Sequence, residues 1–155
     1  MDTHPDAVHD LLAKQEITEV LYQYCRAQDR DDLDLAYDVW HPGATANYEG
    51  MFEGTARDFT DFGHASHGTF FDRTTHQVAN VLISLDGEVA TSEAYVTAAN
   101  TINGSELVYV IRGRYLDDWA HRDGRWRITH RRFVTDMWQL VPLNHGAMPS
   151  ADPAG

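Results

Sequence analysis

Three dipeptides, Asp86-Gly87, Asn103-Gly104 and Asp123-Gly124, punctuate the second half of the sequence and constrain its fold more than any other feature. Each pairs a residue that tolerates positive φ with one that has no Cβ, which is what a tight turn between antiparallel strands requires. The segments between them, residues 74–85, 89–101, 106–119 and 125–138, are long and rich in β-branched and aromatic residues. Residues 74–138 are therefore predicted to form an antiparallel meander of four long strands.

The first half has a different period. Val8, Leu11, Leu12, Ile17, Val20, Leu21, Tyr24 and Cys25 recur at spacings of three and four, which predicts an amphipathic helix from residue 7 or 8 to about residue 28. Asp31 is a plausible N-cap for a second, short helix holding Leu33, Leu35, Ala36, Val39 and Trp40, and His41-Pro42-Gly43 ends it. Residues 44–48 read as a short strand and residues 49–54 as a turn or hairpin. Thr55 caps a third helix with Phe59 and Phe62. Gly63 and Gly68 leave open whether that helix runs on to Phe70 and Phe71, and residues 60–71 are a candidate lid over a pocket.

Helices first and a sheet afterwards make an α+β domain. The simplest arrangement curls the sheet around an apolar space and closes one side with the helices. At 155 residues the chain fits one such domain, assigned to residues 1–143. Residues 144–155, with two Pro, two Gly and three Ala, read as a flexible tail.

Twelve basic and 24 acidic residues give a formal charge of −12, which argues against a nucleic-acid partner or an anionic membrane surface. No apolar run approaches the ~20 residues that span a bilayer. The one cysteine, Cys25, precludes an intrachain disulfide, and residues 1–6 lack the basic and apolar regions of a secretion signal. A cytoplasmic protein is expected. His64 and His67 are three apart, yet no carboxylate or third histidine is fixed beside them by sequence, so no metal is expected. There is no phosphate-binding loop, since Gly50 and Gly54 are not followed by Lys-Ser/Thr.

The chemistry centres on residues 74–84. At period 2, His76, Val78, Asn80 and Leu82 share a face that is mostly apolar but carries an imidazole and an amide. Asp29 ends the first helix, with Tyr24 just before it. Arg131 and Arg132 lie on the last strand, where Trp126, Ile128 and Phe133 read as buried, and a buried Arg needs a partner or a ligand. These residue types form a working set. A carboxylate that accepts from His Nδ1–H fixes the tautomer and leaves Nε2 as a base. A phenol donates to a carbonyl or hydroxyl oxygen, and a guanidinium stabilises an enolate or an anionic leaving group. Such a set suits proton abstraction from carbon followed by β-elimination or isomerisation. Tyr48, Trp40 and Phe71 join Asn80 and Arg132 as candidate substrate-binding residues.

The order of elements, together with Ile17-x-x-Val20-Leu21-Tyr22-x-x-x-x-x-x-Asp29, His76-x-x-x-Asn80 and Gly113-x-Tyr115-x-Asp117-Asp118-Trp119-x-x-Arg122-Asp123-Gly124-x-Trp126, resembles the SnoaL-like α+β barrels over residues 8–143. This is the superfamily of nuclear transport factor two, ketosteroid isomerase and scytalone dehydratase. The closer likeness is to the branch holding scytalone dehydratase, hexachlorocyclohexane dehydrochlorinase and bile-acid 7α-dehydratase. The resemblance implies a cone-shaped half-barrel, a curved mixed or antiparallel sheet closed by N-terminal helices. It implies His76 as base, Asp29 as its orienting acid, Tyr24 as a hydroxyl donor, and Arg131 as the active-site Arg, with Arg132 one residue away as the alternative. The dehydrochlorinase's lysine falls near Tyr24 here, which points to a different leaving group or substrate. For scytalone dehydratase's second catalytic histidine the candidates are His64, His67 and His130.

The implied activity is a cofactor-independent lyase of the dehydratase type, acting on a small hydrophobic cyclic or aromatic substrate. The alternatives are an isomerase or polyketide-type cyclase using the same pocket, and a non-catalytic ligand-binding module. The resemblance also implies a homo-oligomer, a dimer or trimer, for which Tyr109 and Trp119 are candidate interface aromatics.

Overall fold

The computed structural model describes residues 5–143; the expected tail, 144–155, lies outside the described residues. Three helices precede and flank one six-stranded sheet: α1 (Pro5–Arg30), α2 (Leu33–Asp38), β1 (Trp40–Tyr48), β2 (Phe52–Thr55), α3 (Ala56–Ser66), β3 (Phe71–Asp86), β4 (Val89–Ile102), β5 (Leu107–Arg122) and β6 (Arg125–Pro142). The strand order is β2-β1-β6-β5-β4-β3. The β3–β6 meander is antiparallel throughout, and β1 joins β6 in parallel, so the sheet is mixed. The sheet is curved and unclosed, ending at β2 and β3. The fold is α+β, as the sequence predicts.

Helix α1 buries Ala13, Ile17, Leu21 and Tyr24, an i, i+4, i+8, i+11 stripe, against β3 and β6. In its first turns Val8, Leu11 and Leu12 stay exposed rather than joining the stripe. The second helix is shorter than predicted. Its N-cap is Asp32, whose side chain accepts from the Leu35 N–H at 3.1 Å, while Asp31 takes up a left-handed φ of 51° between the two helices. Trp40 does not belong to it but opens β1, and Gly43, at φ 79°, sits where the β1–β6 register shifts. Thr55 caps α3 by accepting from Asp58 N, and α3 stops at Ser66, so Phe71 starts β3 instead of extending the helix.

The largest departure lies within β3. The β3–β4 register breaks between Ala79 and Leu82, with Asn80 at φ 51°. An extra residue in one strand shifts the two-residue alternation by one, and Asn accepts the left-handed region at low cost. Thr74, His76 and Val78 precede the bulge. Beyond it Val81, Ile83 and Leu85 pack against the core, while Asn80 is exposed and Leu82 is 71% exposed. The face expected from period 2, with Asn80 and Leu82 beside His76, is therefore corrected: the bulge turns both outward.

Trp119, an expected interface aromatic, is buried, and its Nε1–H donates to Ser92 Oγ at 2.8 Å. Tyr109 is half-buried and faces the interior described next. The exposed large apolar residues of the strands include Tyr95, Met137, Trp138 and Leu140.

Candidate active site

Between α1, α3 and the concave sheet face lies an open-mouthed cavity of about 150 Å³. Its walls come from α1 (Tyr24, Gln28), β1 (Tyr48), the C-terminal half of α3 and the turn after it (Phe62, Ser66, His67), and the strands β3–β6. The lining is mainly aromatic and aliphatic, with few polar groups. The 60–71 segment forms one wall of it through Phe62, Gly63, Ser66, His67 and Phe71.

His76 reaches this cavity from β3. Its position is fixed by Asp29, at the end of α1, which accepts twice from the same residue. Oδ2 takes the His76 backbone N–H at 3.0 Å and Oδ1 takes Nδ1–H at 2.7 Å. Because the first bond anchors the strand and the second the ring, the imidazole orientation is set by the same contact that docks α1 on β3. Both side chains are largely buried. With Nδ1–H bound, Nε2 keeps its lone pair and has no hydrogen-bond partner among the described residues.

A second polar group comes from α1 and β1. The Tyr24 and Tyr48 hydroxyls are 2.7 Å apart. Two phenols carry two hydrogens and this contact uses one, which leaves one for a ligand oxygen. Burial pushes the pKa of Tyr24 up, and that of Tyr48 well up, so both remain protonated donors at neutral pH. Tyr48 stacks on Phe59 with centroids 4.0 Å apart, and Tyr115 meets Tyr24 edge-on at 5.6 Å.

Beneath the tyrosines lies Arg131, which does not reach the cavity. Its side chain and that of Asp117 are both 0% exposed, and Nε and Nη2 each donate to Asp117 at 2.7 Å across the β5–β6 pair. Nη1 has no hydrogen-bond partner among the described residues, and the guanidinium carbon sits 3.8 Å from the Tyr115 ring centroid and 4.2 Å from that of Tyr24. Burial alone would lower the Arg131 pKa, but Asp117 outweighs it and holds the group charged, well above its ordinary value. The expectation of a substrate-contacting Arg131 is corrected: its charge is already matched within the core.

The remaining sequence candidates divide cleanly. Tyr48 and Phe71 line the cavity. Trp40 does not; it is buried behind Tyr24, edge-on at 6.1 Å. Arg132 points to the outer sheet face, where its Nε donates to Glu49 at 2.8 Å. Asn80 is outside the cavity because of the bulge. Of the three extra histidines, His67 lines the cavity, His64 pairs with Asp31 at 2.7 Å, and His130 bonds Thr45 at 2.7 Å. Among the described residues no group of three or more His, Cys, Asp or Glu side chains could hold a metal ion. No described helix is long and apolar enough to cross a membrane.

Sequence reasoning missed Gln28, Thr74, Asn100 and Tyr115 as lining residues. Asn100 had a readable signal, since it continues the inward alternation of Val96 and Ala98 with a polar residue.

A SnoaL-like domain model matches residues 9–132. The chain belongs to the SnoaL-like family. Solved structures agree on the SnoaL-like fold. A provisionally assigned scytalone dehydratase from Novosphingobium aromaticivorans superposes with a TM-score of 0.78 at 22% identity, covering 84% of this chain and 88% of that one. The dehydrochlorinase LinA-type3 from Novosphingobium barchaimii gives 0.81 at 13% identity over 92% and 99% of the two chains. A nuclear transport factor 2-like protein from Salmonella enterica gives 0.73 at 22% identity over 88% and 96%. In sequence, the chain is 26% identical over 145 residues to a rabbit (Oryctolagus cuniculus) protein, the calcium/calmodulin-dependent protein kinase type II subunit delta, and spans 26% of that protein's length.

Proposed function

We propose that this SnoaL-like protein is a cofactor-independent lyase of the dehydratase type, acting on a small hydrophobic cyclic or aromatic compound. The observation that carries this reading is the 2.7 Å contact between His76 Nδ1 and Asp29 in the wall of an apolar cavity. A histidine held in one tautomer, with its second nitrogen unengaged, is the arrangement of a general base. The likeness to a dehydrochlorinase and an assigned dehydratase favours the same class of chemistry.

In the proposed reaction, His76 Nε2 takes a proton from carbon. The C–H pair becomes the new double bond, and the C–O bond to the β-hydroxyl breaks with its pair going to oxygen. The imidazolium returns its proton to that oxygen, so water leaves and His76 is regenerated. Asp29 stabilises the transient imidazolium without itself gaining a proton. The free hydrogen of the Tyr24–Tyr48 pair stabilises charge developing on a substrate oxygen. Arg131 acts through Tyr24 and Tyr115 as a positioning residue.

The test is mass spectrometry of a panel of hydroxylated single-ring ketones in D₂O, with wild type beside His76→Ala and Asp29→Asn. Loss of one water with wild type alone is the expected result, with either substitution lowering the rate by roughly 10²–10⁴-fold. Deuterium gained at carbon without loss of mass as water would instead identify an isomerase using the same base. Undiminished turnover by His76→Ala refutes the proposal.

A further inference from the structure

Asn100 brings to the cavity wall a carboxamide that no described residue engages by a hydrogen bond. The residue lies on β4 and is 7% exposed. Its backbone is paired normally, opposite Thr74 on β3 and Tyr109 on β5, so no distortion of the strand accounts for its placement. The amide atoms are not sealed in the core but open onto the cavity, so a ligand entering it meets an unengaged donor and an unengaged acceptor.

The position of Asn100 relative to His76 is set by register. Ala98 stands opposite His76, and Asn100 is two residues further along the same strand. Such diagonal neighbours are about 7–8 Å apart at the backbone. Two side chains at this separation, converging on one cavity, span a single substituted six-membered ring. The cavity volume agrees. About 150 Å³ is the size of an engineered apolar cavity that takes up benzene, and about half the lower end of the range for sites of drug-sized ligands.

We infer that the cavity takes a monocyclic compound with oxygen functions at opposite ends of the ring, one against the His76 and tyrosine side and the other held by the Asn100 carboxamide. Asn100 is then a specificity-determining residue. An amide both donates and accepts, so it reads a hydroxyl or a carbonyl equally well. A site built to hydrogen-bond such a group discriminates strongly against the analogue lacking it, because the amide is then left unpaired. A fused-ring compound the size of a steroid exceeds this volume and would have to project through the mouth of the cavity. This inference rests on the proposed use of the cavity for a small cyclic substrate, but not on the lyase chemistry.

The experiment is calorimetric binding of phenol, 1,4-dihydroxybenzene and oestradiol to the wild type, to Asn100→Leu and to His76→Ala. Wild type is expected to bind 1,4-dihydroxybenzene at least tenfold more tightly than phenol and in preference to oestradiol. Asn100→Leu should bind the two single-ring compounds equally, with its phenol affinity kept, which also reports that the variant is folded. Should that variant not fold, the three wild-type affinities decide alone. Equal wild-type affinities, binding of oestradiol in preference to the single-ring compounds, or binding of none of the three at millimolar concentration would overturn the inference. His76→Ala should retain the preference for 1,4-dihydroxybenzene. A protein with that preference but no turnover would refute the lyase reading and leave this one standing.

Discussion

Replacing Asp117 by Asn isolates the role of the buried cation. The change is isosteric, yet among the described residues it removes the only countercharge that Arg131 engages by hydrogen bonds. It also turns an acceptor into an NH₂ group facing a guanidinium N–H. Both side chains are 0% exposed, so no solvent is available to compensate. Breaking one partner of such a pair costs about 3–5 kcal/mol. At about 2–4 °C per kcal/mol for a domain of this size, the melting temperature should fall by about 6–20 °C. The double variant Asp117→Leu/Arg131→Met removes both charges. It should melt within a few degrees of wild type, since apolar replacement of a buried ion pair is often neutral or stabilising. The assay is thermal unfolding by circular dichroism of the three proteins, with turnover measured beside it. Because Arg131 lies under the Tyr24 and Tyr115 rings and outside the cavity lining, the double variant should keep turnover within about tenfold. A fall of under 3 °C for Asp117→Asn would refute the buried-charge argument. A loss of a thousandfold or more in the double variant at unchanged stability would return Arg131 to the chemistry.

Burial pushes the Cys25 thiol up to about 12, and the Tyr24, Tyr48 and Tyr115 phenols above their ordinary value, so between about pH 9 and 12 the folded state holds protons that the unfolded chain has released. Stability should therefore fall as pH rises above about 9, a trend that thermal melts from pH 7 to 11 would show, and Cys25→Ala should lessen its slope. Gly113→Ala should lower stability by about 1–3 kcal/mol, because a Cβ there would lie 2.2 Å from the Val134 carbonyl oxygen and 2.7 Å from the Phe133 ring, and an unchanged denaturant midpoint would contradict that packing.

The sequence by itself determined the elements and their order. Turn dipeptides at 86–87, 103–104 and 123–124 delimit four strands whose observed ends lie close to the predicted ones, because those turns are local chemistry. The Thr55 cap and the Ile17–Cys25 part of the α1 stripe are local too, and they appear where the spacing put them, although Val8, Leu11 and Leu12 stay exposed. The conjunction of Asp29 with His76 was legible from family resemblance, although their distance was not.

Tertiary structure decided which residues face the cavity. A bulge at Asn80 reverses the alternation of β3, and no propensity within the strand fixes its position, since it depends on pairing with β4. The same holds for β6. Trp126 and Ile128 are buried at even positions and Phe133 at an odd one, so alternation alone cannot choose between Arg131 and Arg132. The register shift at Asp118–Trp119 chooses it, sending Arg131 inward and Arg132 outward. Once inward, Arg131 meets Asp117 on the neighbouring strand and is neutralised there, a cross-strand event that depends on register rather than on the local sequence of β6. Period and turn chemistry write the strands into the chain; which side of the sheet each charge occupies is settled only when neighbouring strands pair.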